Sequence, residues 1–253
     1  GFIKKDTHGD FKFQDKSTSS NPGPEKRKAN PPSWLIVEFE RLDYRRAWAL
    51  QEKIVIARRA GVLQNDIVLF LEHPSVFTLG RRGGRDCMLV TDAFLEKAGI
   101  PIIQVERGGN ITYHGPGQIV AYPIVDLQSA RIKVVDFVNR LEEIMRRTAE
   151  NWGIVAGRND ASRGIWVGPK KMGSIGIAVR RGISFHGLAL NVQTDLTPFS
   201  WIQPCGLQDV GMTSMQQECE HTLSMNRVRG VLKAQFEAVF GINFIQRTPA
   251  DLD

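Results

Sequence analysis

Ile102-Ile103-Gln104-Val105, then Arg107-Gly108-Gly109-Asn110-Ile111-Thr112-Tyr113-His114-Gly115-Pro116-Gly117-Gln118, then Ile119-Val120-Ala121-Tyr122-Pro123-Ile124-Val125: the reading of this stretch decides the fold. Its two apolar ends are short, continuous and rich in β-branched residues, which suits buried strands. Between them stand four glycines, a cation, an imidazole and an amide. Glycine weakens regular structure and serves where the main chain takes positive φ or lets a ligand touch it. The middle is therefore expected to connect two sheet elements, either as a turn that hugs a substrate or as a glycine-rich hairpin with solvated polar side chains.

Working outward, residues 35–39 read as a strand, and Asp43 caps a helix carrying Ala47, Trp48, Ile54 and Val55. Residues 67–71 are a continuous apolar run suited to a buried strand that Glu72-His73-Pro74 ends. A short helix starts near Asp92 and stops at Gly99. Residues 134–152 place Val134, Val138, Leu141, Met145 and Trp152 on one helical face, and Glu142-Glu143 is expected on the solvated side. Strands are expected at 164–167, 172–179 and 183–192, with Arg181-Gly182 turning between the last two. A final helix covers 225–240, with Gly241 as its stop. Helices and strands mix without strict βαβ alternation, so the fold class is α/β of the α+β type with a mixed sheet. No phosphate loop and no G-x-G-x-x-G after a strand occurs, so nucleotide use has no positive signal.

A chain of 253 residues with 42% hydrophobic and 24% charged residues buries a substantial core. The expected layout is a disordered polar leader over 1–33, one catalytic domain over 34–246 and a tail over 247–253. The leader holds Ser17-Thr18-Ser19-Ser20 and Asn21-Pro22-Gly23-Pro24, too polar to fold alone; its acids Asp6, Asp10, Asp15 and Glu25 argue against an organelle transit peptide. No apolar run is long enough for a bilayer, which needs about 20 residues. Three cysteines cannot all pair and no secretory signal is visible, so a reducing, cytoplasmic setting is expected. The net charge of +6 comes from scattered basic residues, which fits an acidic protein partner and does not require nucleic acid. A soluble monomer without membrane attachment is the expected state.

Cys205 lies in Pro204-Cys205-Gly206, a setting that exposes a sulfur in a turn, although a lone cysteine is commonly a small buried hydrophobe. Cys87 and Cys219 are read in that second way. Lys170, Lys171, His114 and His186 are the candidate partners for a thiol. Lys171 opens Lys171-Met172-Gly173-Ser174-Ile175-Gly176, whose small residues let a long substrate lie against a strand; the alternative is a surface lysine. His186 alternates with apolar residues and reads equally as a satisfied core histidine. Cys219-Glu220-His221 lacks a second pair at ligand spacing, so no metal is expected. No G-x-S-x-G elbow is present.

Taken together, Leu71-Glu72-His73-Pro74 with Thr78-Leu79-Gly80, the 107–118 motif, the 171–176 run, residues 186–191, and Pro204-Cys205-Gly206 followed by Thr213-Ser214 resemble the octanoyltransferases of lipoate biosynthesis, the LipB family. The resemblance covers roughly residues 34–240 and implies a domain related to biotin and lipoate protein ligase catalytic domains. It implies transfer of an octanoyl group from octanoyl-acyl carrier protein to a lysine of lipoyl domains, those of 2-oxoacid dehydrogenase E2 subunits and the glycine cleavage H protein, with no cofactor. By position it places the acyl-thioester nucleophile on Cys205 and its activating lysine on Lys171. Substrate binding falls on Arg107, Gly108, Gly109, Asn110, Ile111, Thr112, Tyr113 and His114, on Ser174, Ile175 and Gly176, and on Gly187, Leu188 and Ala189. His73 and His186 are expected as lining of the same site. Asn110 stands where many relatives carry an acid or glutamine.

Overall fold

The structure is a computed structural model, and it describes residues 30–159, 162–203 and 210–252. The described elements run β1 (Ser33–Glu38), α1 (Tyr44–Arg59), β2 (Ile67–Leu71), β3 (Val76–Leu79), α2 (Asp92–Ala98), β4 (Ile102–Gln104), β5 (Ile111–His114) and β6 (Gln118–Ile124). They continue with α3 (Val134–Glu150), β7 (Gly164–Val167), β8 (Lys170–Arg180), β9 (Ile183–Asn191), β10 (Gly211–Met212), α4 (Met225–Phe240) and β11 (Asn243–Arg247).

The larger sheet has the order β10-β8-β9-β6-β2-β1-β11, with β7 also paired to β8. The pairs β1–β2, β1–β11 and β10–β8 are parallel and the rest antiparallel, which is the mixed α/β sheet expected. Alternation along β1 sends Trp34 and Ile36 to one face and Leu35 and Val37 to the other, because successive strand residues point to opposite sides. The first face packs on α3 and α4 through Phe137, Leu141, Met145, Leu232 and Phe236. The second packs on α1 through Ala47, Ile54 and Val55. Being covered on both faces, β2 is buried along its whole length, as its unbroken apolar run requires.

Local signals set the element ends. Asp43 accepts the Arg46 N–H at the start of α1, and Thr91 accepts that of Phe94 at the start of α2. Gly99 and Gly241 close α2 and α4 at φ of 68° and 66°, a left-handed conformation that glycine takes without cost. Arg181 and Gly182, both at positive φ, form the tight turn joining β8 to β9.

Three expectations need correction. Residues 107–118 are more than a connection, since their second half is β5, which pairs with β3 in a separate sheet of order β4-β3-β5. On α3, Val134 is 46% exposed; the buried face is Phe137, Leu141, Ile144, Met145, Thr148 and Ala149, one position displaced from the proposed stripe at its N-terminal end. Glu142, placed above on a solvated side, is 1% exposed.

Candidate active site

The antiparallel hairpin β8–β9 sets Ser174 opposite Ala189, Ile175 opposite Leu188 and Gly176 opposite Gly187. Two facing glycines leave a stretch of bare main chain at the bottom of a cavity of about 430 Å³. A side chain is shut out at Gly187 and crowded at Gly176. A Cβ on Gly187 would lie 2.0 Å from the Ala121 carbonyl oxygen, and one on Gly176 3.0 Å from the Gly108 carbonyl oxygen.

The glycine-rich motif supplies another wall. Gly80, Arg81 and Arg82 donate main-chain hydrogen bonds to the carbonyls of Asn110, Arg107 and Gly109, and Gly108 N–H bonds Ile177 O on β8. The motif is thus fastened to the 80–82 turn and to the main sheet. Arg107 is buried and spends its guanidinium on Thr78 O at 2.7 Å, Thr78 Oγ1 at 2.8 Å and Gly108 O at 3.0 Å. A buried cation with that many acceptors holds its position while presenting positive potential to the cavity.

Lys171 stands on β8, on the side of the cavity nearest β10, which pairs Met212 with Lys171. Its side chain is enclosed, with only 5% of the residue exposed. The Nζ lies 2.6 Å from Ser162 Oγ and sits over the Trp166 ring, 5.4 Å from its centroid. This excludes the surface-lysine reading. Cys205, with Pro204 and Gly206, lies outside the described residues.

His186 is not a satisfied core histidine. The β6–β9 ladder stops at Ala121–Leu188, because the next strand residues of β6 include Pro123, which has no N–H to give. The Ser184 hydroxyl bridges the gap by donating to Pro123 O and accepting from Val125 N–H. Within this break His186 takes φ 57°, its N–H bonds Gln51 Oε1 at 2.7 Å, and among the described residues neither ring nitrogen has a hydrogen-bond partner. Burial, with Arg107 and Arg180 nearby, pulls its pKa down to about 3, so the ring is neutral.

The remaining expected residues divide. Asn110, Ile111, Thr112 and His114 line the cavity with Arg107, Gly108 and Gly109. His114 Nδ1 donates to Gln118 Oε1 at 2.7 Å, the only acceptor on that amide, which leaves Nε2 as the unprotonated nitrogen. Burial, then His73, lowers its pKa well below the usual 6.5. Tyr113 points elsewhere, bonding Ser75 Oγ at 2.9 Å and packing on Phe77 and Phe199. His73 stands behind the wall, between Leu42 O at 2.6 Å and the Tyr122 hydroxyl at 2.7 Å; burial lowers its pKa to about 4.

Tyr44, Tyr122 and Ser162 line the cavity without having been singled out in the sequence. Tyr122 was hidden inside an apolar run, and Tyr44 and Ser162 sit in segments with no chemical pattern. Of the other cysteines, Cys87 is buried and donates to Asn110 Oδ1, and burial pushes the Cys219 thiol up. Among the described residues no His, Cys, Asp and Glu cluster is arranged to hold a metal ion, and no helix is long and apolar enough to cross a membrane.

The family model described as the lipoyl protein ligase A/B catalytic domain matches residues 43–237. An octanoyltransferase of Desulfotalea psychrophila is 43% identical over 209 residues, covering 82% of this chain and 94% of that one. Among solved structures, a lipoate-protein ligase A bound with ATP superposes with a TM-score of 0.69 at 18% identity, over 87% of this chain and 90% of the other. The biotin protein ligase of Aquifex aeolicus, in complex with biotin and ATP, gives 0.51 at 9% identity, over 82% and 70%. The two structural likenesses establish a shared mixed α/β fold.

Proposed function

The chain belongs to the octanoyltransferase family, an acyltransferase family, and we propose that it moves the octanoyl group through a thioester on Cys205, with Lys171 as the proton carrier. The donor is octanoyl-acyl carrier protein. The acceptor is the target lysine of a lipoyl domain, on a 2-oxoacid dehydrogenase E2 subunit or the glycine cleavage H protein, and the setting is the cytoplasm.

In the first half-reaction the Cys205 thiolate attacks the donor carbonyl, the carbonyl–sulfur bond of the donor breaks, and the Lys171 ammonium gives its proton to the leaving pantetheine thiolate. In the second, the Lys171 amine takes a proton from the acceptor's amine as that nitrogen attacks the acyl-enzyme. An amide forms and Cys205 leaves as the thiolate that began the cycle. The proton balance closes on Lys171, and no ATP is consumed because the acyl group arrives activated.

The observation that carries this reading is an enclosed lysine, its Nζ 2.6 Å from a hydroxyl, in a cavity whose bottom is main chain at Gly176 and Gly187. A saturated chain needs such a surface, smooth and without charge. Incubation with apo lipoyl domain and either octanoyl carrier protein, or octanoate plus ATP, tests it. Modification is expected with the first donor alone; ATP-dependent modification without carrier protein would mean a ligase.

A further inference from the structure

Helix α3 turns an apolar face to the sheet, yet Glu142 lies on the buried side of it. A buried carboxylate is expensive unless its oxygens are paired. Here Oε1 is hydrogen-bonded, while Oε2 has an ion pair and no hydrogen bond among the described residues; the described partners are Arg158, Arg163 and Gly164. Oε1 accepts the Gly164 N–H at 2.9 Å and faces Arg163 Nε at 3.3 Å; Oε2 faces Arg158 Nε at 3.2 Å. Asn139, nearly one turn earlier, takes the same two arginines, Arg158 on its carbonyl and Arg163 on its side-chain oxygen. One turn of the helix therefore holds Arg158 and the short segment 162–164 to which Arg163 and Gly164 belong.

That segment carries Ser162, whose Oγ is 2.6 Å from Lys171 Nζ. Its backbone is fixed as well, since Ser162 O accepts from Trp166 Nε1 at 3.2 Å. Gly164 takes φ 139°, and a Cβ there would lie 2.0 Å from Gly173 O and 3.0 Å from Lys171 Cε. Only a residue without a side chain lets the segment press this closely on the lysine.

We propose that Ser162, held in place by Glu142, positions Lys171 for proton transfer, an inference that rests on the reading of Lys171 as the proton carrier. The chemistry favours a hydroxyl here. A lysine that gives up a proton and takes one back needs a neighbour that serves both forms, and a hydroxyl accepts from the ammonium and donates to the amine. Glu142 has its charge balanced by two arginines and acts through the segment it holds, as a positioning residue.

The test uses the full chain with octanoyl carrier protein and apo lipoyl domain, and compares Ser162→Ala, Ser162→Thr, Glu142→Gln and Lys171→Ala. Ser162→Ala is expected to lower kcat about tenfold, the size of one lost hydrogen bond of average strength, with both KM values within about twofold. The lysine limb of its pH–rate profile shifts to lower pH, because one acceptor that stabilises the ammonium is gone. Ser162→Thr restores both. Glu142→Gln keeps an acceptor for Gly164 N–H but loses the charge facing the arginines, and moves kcat in the same direction. Should that variant not fold, Ser162→Ala decides alone, since it removes one oxygen. Wild-type kcat and pH profile in Ser162→Ala, with Lys171→Ala inactive, would overturn the inference. Lys171→Ala as active as wild type would remove the reading beneath it.

Discussion

Three buried histidines, His114 and His186 in the cavity wall and His73 behind it, share one aromatic cluster with Tyr44 and Tyr122. Their common physics is burial, which disfavours the charged form and lowers all three pKa values; for Tyr44 the same burial pushes the phenol up to about 12. A consequence follows for stability. The unfolded chain takes up protons on these residues below about 6.5, while the folded state resists until about 4 for His73 and about 3 for His186. Between those limits the unfolded state binds more protons, so stability falls as pH drops. Chemical denaturation midpoints measured from pH 7 to pH 4 should decline steadily, and His73→Phe should flatten the slope. A midpoint unchanged over that range would show the rings to be accessible and protonated without penalty.

At the scale of elements, the positions most exposed to substitution are the glycines of the β8–β9 hairpin. Gly187→Ala drives a methyl into the Ala121 carbonyl and toward Pro123, neither of which is the end of a flexible side chain. Overpacking of this kind costs about 1–3 kcal/mol, and thermal melting followed by circular dichroism should show a lowered Tm with transfer activity lost. The same elements show what the sequence could and could not reveal. The strands β8 and β9, the Arg181-Gly182 turn and the stops at Gly99 and Gly241 rest on local signals, and each lies where it was expected. Strands β3, β5 and β11 went unnoticed. Val76–Leu79 and Ile111–His114 are four residues each, too short for period-two patterning to stand out, and Asn243–Arg247 is mostly exposed and stabilised by parallel pairing with β1, a partner far away in the chain. Glu142 misled for a related reason: two adjacent acids read as solvent-facing, and the arginines and the Gly164 N–H that bury one of them lie 16 to 22 residues further on.

For the molecule as a whole, the two-faced sheet is a mount, and the proposed chemistry belongs to its β8–β9–β10 side, where the glycine-rich motif, Lys171, Ser162 and Arg163 line one cavity. The motif at 107–118 was the densest signal in the sequence, yet its arginine is occupied with Thr78 and its Tyr113 faces another core. It shapes the wall, while the proposed bond-making groups come from much later in the chain. That division was legible only in part, because no local pattern tells which polar side chain turns toward a cavity assembled from segments scattered along the chain, from Tyr44 to Met212. The proposed covalent intermediate on Cys205 is open to intact mass spectrometry of the protein mixed with octanoyl carrier protein, without acceptor. A mass gain of one octanoyl group is expected, mapped to Cys205, absent in Cys205→Ala and discharged on adding apo lipoyl domain. Full transfer activity with Cys205 never modified would contradict it.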